Sequence, residues 1–128
     1  KIGKVHPDIE DLELEIKGRD AVTGLPRTET INSTDVYKMI RPVIENIISR
    51  VKLVLEKTPP ELSADIVNHG IVLSGGGALL RGIDKAIQEE IGVPCRIADD
   101  PLLCVARGTG ILLEDEELLK HVAVSYEK

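Results

Sequence analysis

The sequence predicts an α/β chain with a small antiparallel β-rich unit at its N-terminal end. Three observations predict it. Ile71-Val72-Leu73-Ser74-Gly75-Gly76-Gly77-Ala78-Leu79-Leu80-Arg81-Gly82-Ile83-Asp84 runs from an apolar stretch through three glycines into helical spacing, which reads as strand, tight turn and helix. A second short run, Cys95-Arg96-Ile97-Ala98, follows that helix, and two strands joined by a crossover helix favour parallel neighbours in one sheet. Near the start, Leu12-Glu13-Leu14-Glu15-Ile16-Lys17 alternates apolar and charged residues, the period of a strand with one covered face.

In chain order, Leu12, Leu14 and Ile16 are expected to point inward. Turn residues in Gly18-Arg19-Asp20 and Thr23-Gly24-Leu25-Pro26 lead to a returning strand, Arg27-Thr28-Glu29-Thr30-Ile31, and so to a hairpin with a long loop. Asn32 or Ser33 then caps a helix that has Asp35 in its first turn, where a carboxylate meets the positive end of the dipole. Val36, Ile40, Val43, Ile44, Ile47, Ile48, Val51, Val54 and Leu55 recur every three or four residues and form one apolar face, opposite Lys38, Arg41, Glu45, Ser49, Lys52 and Glu56. Such a helix is expected to lie on a sheet. Pro42 falls within it at a cost of about 3 kcal/mol, and a kink is expected there because the apolar face keeps its register through the proline.

Thr58-Pro59-Pro60-Glu61-Leu62 ends this helix, and Pro60 starts a short second one through Asn68. The helix after the glycines turns Leu80, Ile83, Ala86, Ile87 and Ile91 inward and stops at Gly92. Asp100 and Pro101 read as N-cap and first helical residue of a helix that extends to about Leu113. Periodicity weakens after Glu117, where fraying is expected.

The chain has 128 residues, enough for one domain or a piece of a larger one with a real core. Its 22 acidic and 16 basic side chains leave a net charge of −6, which repels phosphate backbones. With no Phe or Trp and only Tyr37 and Tyr126, it also lacks stacking platforms. With no basic stripe visible, no nucleic-acid partner is expected. No apolar run reaches the length of a membrane span and Lys1 begins no signal-like pattern, so a soluble, cytosolic chain is expected. The acidic runs at residues 11–15 and 114–117 read as solvated faces.

Few residues suit catalysis. Cys95 and Cys104 lack metal-ligand spacing and read as buried reduced thiols. His6, His69 and His121 are scattered, with surface or capping roles expected. No residue is nominated as catalytic or metal-ligating. The glycines themselves fit neither common phosphate motif: Leu80 stands where G-x-G-x-x-G needs its third glycine, and Gly77 to Gly82 has Walker A spacing but continues Ile83-Asp84 instead of Lys and Ser/Thr. Two readings stay open, a plain strand-to-helix turn or a turn that lets a flat ligand approach the main chain while helix N–H groups face it. Ala106, Gly108 and Gly110 form a small-residue face that either packs closely onto the sheet or crosses a helix outside this chain.

Four strings identify a resemblance: Gly18-Arg19-Asp20 through Thr23-Gly24-Leu25-Pro26-Arg27-Thr28; Leu55-Glu56-Lys57-Thr58-Pro59-Pro60-Glu61-Leu62; Gly70 through Leu80-Arg81; and Asp99-Asp100-Pro101 through Cys104-Val105-Ala106 with Gly108-Thr109-Gly110. In this order they resemble the C-terminal part of the MreB family, the bacterial actin homologues within the actin/Hsp70-like ATPase superfamily. The resemblance implies an actin-like (ribonuclease H-like) half-domain. Residues 1–31 would be part of its small subdomain, and residues 32–128 the C-terminal part of its large one.

It further implies ATP or ADP with magnesium in a cleft between two halves, with Gly75, Gly76, Gly77, Ala78, Leu79 and Leu80 as the adenosine motif. Phosphate and magnesium ligands would lie upstream, with Lys1 just past the helix that lines the base. The helix from Pro101 would pack against the first half through its small residues. Implied partners are further copies in head-to-tail filaments, the cell-shape and elongation machinery including the membrane protein RodZ, and the inner face of the cell membrane through parts outside this chain. The implied activity is that of a slow ATPase directing cell-wall synthesis and rod shape. Alternatives are a division actin homologue, an Hsp70-type ATPase, or a nucleotide-independent interaction module. The first two should lack the Thr-Pro-Pro-Glu-Leu and Gly-Leu-Pro-Arg strings.

Overall fold

The structure is a computed structural model that describes residues 1–123; Tyr126 lies outside the described residues. The expected hairpin forms from β1 (Glu13–Arg19) and β2 (Pro26–Asn32), antiparallel, with Leu14 opposite Ile31 and Arg19 opposite Pro26. Its loop is closed by the Asp20 carboxylate, whose Oδ1 accepts the N–H groups of Val22 (2.9 Å) and Thr23 (2.8 Å), an Asx turn. Leu14 is half-buried, but Ile16 is 43% exposed, contrary to expectation, because the hairpin projects past the elements that would cover it.

Asn32 caps α1 (Ser33–Glu56), with Oδ1 accepting the Asp35 N–H at 2.8 Å. The helix runs unbroken across Pro42. Its apolar face is only partly used: Ile44 and Ile48 are buried, whereas Val43, Ile47 and Val54 are exposed. Ser33 has a different task from its neighbour. Fully buried, its Oγ donates its one proton to the Ile2 carbonyl oxygen (2.7 Å), with that of Leu12 at 3.1 Å, and accepts the Leu12 N–H (2.9 Å).

α2 (Pro60–His69) follows with proline in its first turn and ends at Gly70, φ 77°, where a Cβ would lie 2.6 Å from the Pro94 carbonyl oxygen. That close approach starts the parallel pairing of β3 (Ile71–Leu73) with β4 (Cys95–Ile97), which the crossover argument anticipated. Between them runs α3 (Ile83–Ile91), ended by Gly92 in the left-handed region. Ile83, Ala86 and Ile87 of α3 pack with Ile44, Ile48 and Val5 as the core, with Ile71, Leu73, Leu80, Ile91 and Cys95 against it.

Val5 in that core was not foreseen. Residues 2–10 form a strap along α1, Arg81 and α3: the Val5 N–H donates to the Arg81 carbonyl oxygen (2.9 Å), and Lys4, itself buried, donates through Nζ to the Ile9 carbonyl oxygen (3.0 Å) and pairs with Asp11 Oδ1 at 3.0 Å. Of the surface or capping roles expected for His6, the structure keeps only the second: the residue is buried and caps a turn. Its Nδ1 accepts the Asp8 N–H (3.2 Å), so Nε2 carries the proton and donates to Glu89 Oε2 at 2.6 Å.

The C-terminal part departs from expectation twice. Asp100 has φ 47° and starts a turn instead of capping a helix, and α4 (Cys104–Glu114) begins only after it. The Asp100 carboxylate instead holds Arg107 Nη2 at 2.6 Å. After Glu117, where fraying is expected, the chain continues to Ala123 as α5 (Glu116–Ala123), with Glu116 and Glu117 in its first turn and Lys120 and His121 in its last, a charge order that suits the helix dipole; residues 124–128 of that segment lie outside the described residues. Both cysteines are free thiols and half-buried.

Candidate functional site

The glycine-rich turn stands at the carboxyl ends of β3 and β4, the edge at which parallel α/β sheets present their ligand crevices. Its backbone is built differently from a plain strand-to-helix turn. Gly75 alone of the three glycines takes positive φ, at φ 80° and ψ 179°, a conformation essentially confined to glycine. Gly76, Gly77, Ala78 and Leu79 then form one 3-10 turn. Leu80, Arg81 and a left-handed Gly82 (φ 83°) intervene before α3 begins, so the α3 N-terminus does not follow directly on the glycines as the sequence suggested.

Within the turn the side chains divide. Ala78 is buried at 4% exposure and Leu80 packs against the core, while Leu79 is 57% exposed. A Cβ added at Gly75 or Gly77 would meet nothing within 4 Å, and one at Gly76 would come 3.7 Å from Leu102 Cδ2. The surface is thus open main chain beside one exposed leucine. Arg81, next in sequence, turns its guanidinium away and donates from Nη2 to the Glu10 carbonyl oxygen at 2.8 Å. Arg107 is held by Asp100.

A second loop completes the edge. The Gly75 N–H donates to the Pro101 carbonyl oxygen at 2.7 Å, and the Ala98 N–H to that of Leu73 at 2.9 Å, so the loops leaving β3 and β4 are sewn together. Leu102, 63% exposed, stands beside Gly76 in this second loop. Sequence reasoning nominated only the first loop. The signal for the second was the parallel pairing itself, since adjacent parallel strands end on the same edge.

The remaining candidates lie elsewhere. Cys95 opens β4 at the end away from the turn, and burial, with the Asp84 carboxylate adding to it, pushes its thiol pKa up and away from nucleophilic thiolate character. Among the described residues no group of three or more His, Cys, Asp or Glu is gathered to hold a metal. A groove of about 330 Å³ between α1, α3 and the strap, floored by Val5, Ile44, Ile48 and Ala86, shares no residue with the turn. Gly108 and Gly110 do not pack onto the sheet, for a Cβ at either would meet nothing within 4 Å.

Comparison with known proteins decides the family. The profile of the MreB/Mbl protein family matches residues 1–121. The chain belongs to this family. It is 48% identical over 119 residues to the cell shape-determining protein Mbl of Bacillus subtilis, covering 93% of this chain and 36% of that protein. With the cell shape-determining protein MreB of Escherichia coli it shares 46% identity over 114 residues, covering 89% and 33%. The chain therefore spans about a third of the length of these MreB/Mbl relatives. Among solved structures it is similar to MreB5 of Spiroplasma citri bound to ADP, with TM-score 0.84 and 37% identity over 95% of this chain and 36% of that one. The AMPPNP-bound form of MreB5 gives a TM-score of 0.82 at 36% identity, over 97% of this chain and 37% of that one. The actin-like α/β fold expected from the sequence is borne out.

Proposed function

We propose that this chain is part of an MreB-type cytoskeletal ATPase and that residues 75–80 form the adenosine side of its nucleotide site. The observation that carries the reading is the likeness to MreB5 structures that hold ADP or AMPPNP. The turn suits such a ligand. Main chain open at Gly75 and Gly77 lets a ribose or base approach, and exposed Leu79 and Leu102 offer apolar walls. Arg81 and Arg107 are engaged by the Glu10 carbonyl and the Asp100 carboxylate, and in this proposal the phosphate and magnesium ligands belong to other parts of the intact protein.

In this proposal residues 1–31 contribute to a small subdomain and residues 32–128 to a large one, with the strap crossing from the first to the second. The intact protein hydrolyses ATP and assembles head to tail into filaments. It works with the elongation machinery, RodZ included, at the inner face of the cell membrane. Magnesium accompanies the nucleotide. Among the described residues no helix is long and apolar enough to cross a membrane. In this proposal membrane contact is made by other parts of the intact protein.

The test is photolabelling of the longest natural chain containing this sequence with an azido-adenine nucleotide. Label is expected on residues 75–80 or on Leu102, with competition by ADP. Labelling confined to other surfaces of this chain, or insensitive to ADP, overturns the assignment.

A further inference from the structure

We propose that Arg81 is a positioning residue that couples occupancy of the glycine-rich turn to the setting of the β1–β2 hairpin. The inference rests on the reading of residues 75–80 as adenosine-contacting. Arg81 leaves that turn and grips the strap at two points five residues apart. Its carbonyl oxygen accepts the Val5 N–H at 2.9 Å, and its Nη2 donates to the Glu10 carbonyl oxygen at 2.8 Å. The strap is also held against the main chain of the next residue: a Cβ on Gly82 would lie 2.6 Å from Ile9 Cγ1 and 2.9 Å from His6 Cβ. Leu80, the last residue of the turn, reaches within 3.6 Å of where a Cβ on Gly3 would stand. The hairpin starts directly beyond the strap, with Leu12 bonded to Ser33 through both its N–H and its carbonyl oxygen.

Arg81 also carries an unsatisfied donor at the same place. Arg81 Nη1 is shielded from solvent and has no hydrogen-bond partner among the described residues, an expensive state for a charged donor. The Asp11 carboxylate, one residue beyond the Glu10 carbonyl that Arg81 holds, is now bound by Lys4 Nζ (3.0 Å) and Thr34 Oγ1 (2.8 Å). A displacement of the turn that carries Arg81 toward Asp11 would satisfy Nη1 and loosen the Lys4 pair. The base of the hairpin would then be held by a different cation. In this proposal Asp11 has two seats, an element that both ends can bias, and by linkage the coupling is reciprocal.

The test uses the longest natural chain containing this sequence, unaltered and as Arg81→Gln and Arg81→Lys, with amide hydrogen exchange read with and without ADP. In the unaltered protein ADP is expected to slow exchange in residues 75–80 and to change it at Leu12 and Ser33 by about fivefold or more. Arg81→Gln should keep the response of the turn and lose that at Leu12 and Ser33, and Arg81→Lys should restore part of it. A role confined to folding would alter exchange equally in both states and leave the ADP-dependent difference intact, which overturns the coupling. An undiminished response in Arg81→Gln overturns it as well. If ADP protects nothing in residues 75–80 of the unaltered protein, the nucleotide reading fails and the coupling fails with it.

Discussion

The Gly75 N–H donates to the Pro101 carbonyl oxygen at 2.7 Å, which makes the geometry of one loop of the candidate site depend on the other. Gly75 can make this bond because its backbone sits at φ 80° and ψ 179°, where a side chain would be strained. Gly77 has no such restriction, although it lies two residues away in the same motif.

The two glycines should therefore separate stability from binding. Gly75→Ala is expected to cost on the order of 1–3 kcal/mol through backbone strain, read as a lower urea midpoint. Gly77→Val should change stability by less than about 1 kcal/mol, because its backbone lies outside the left-handed region and its Cβ would stand in open space. In the intact protein the same valine should occupy the ligand's approach and abolish ADP binding in calorimetric titration. Normal affinity in a folded Gly77→Val protein would show that the ligand does not touch the turn.

Gly82→Ala should be the most damaging single methyl group in this region. It would enter the left-handed region and press on Ile9 Cγ1 at 2.6 Å and His6 Cβ at 2.9 Å. Strain and overpacking together amount to about 2–4 kcal/mol. Chemical denaturation measures it, and a midpoint equal to that of the unaltered chain contradicts the seating of the strap.

Acid should loosen the strap. The hydrogen bond from Lys4, then that from Thr34, lowers the Asp11 pKa below its ordinary value of 3.8. Because the folded pKa is the lower one, Asp11 contributes stability that is present above pH 3.8 and is lost as pH falls through the folded value. Asp11→Asn should flatten the acid limb of a melting-temperature profile and leave its shape at neutral pH unchanged. An acid limb as steep as in the unaltered chain would contradict this.

Exposed apolar side chains on α4 predict self-association of the isolated chain. Val105 is 78% exposed, Ile111 60% and Leu113 69%, next to glycines with nothing near them. Dimers or larger species are expected at high concentration, without ordered filaments. Sedimentation across a wide concentration range tests both halves: a strictly monomeric chain contradicts the exposed-face argument, and regular filaments contradict the need for the rest of the protein.

Local signals were legible where local physics decides. The hairpin, the Asn32 cap, the end of α3 at Gly92 and the parallel strands all follow from periods and turn chemistry within a few residues. Long-range pairing was not legible. Nothing near Val5 or His6 announces that they meet Arg81 and Glu89, and nothing near Ser33 marks it as the anchor of Ile2. The α1 stripe misled for a related reason, since a pattern shows which side chains are apolar but not which have a partner in this chain. At Asp100-Pro101 two strong capping signals were overridden by the pull of Arg107 and the bond to Gly75. In the candidate site the glycines were visible as a motif, whereas Leu102 entered only through tertiary pairing.

The strap has a consequence for how the chain is made. Val5 is synthesised 76 residues before its partner Arg81, a wait of roughly 4–15 s at the usual 5–20 residues per second. During that time the hairpin and α1 can form from neighbouring residues, while Ile2 and Val5 remain apolar and uncovered. Lys4, between them, keeps this segment in water until the seat exists and is itself buried once α3 closes. A nascent chain stalled before Arg81 should thus hold a formed hairpin beside an unanchored strap, open to a protease or a chaperone.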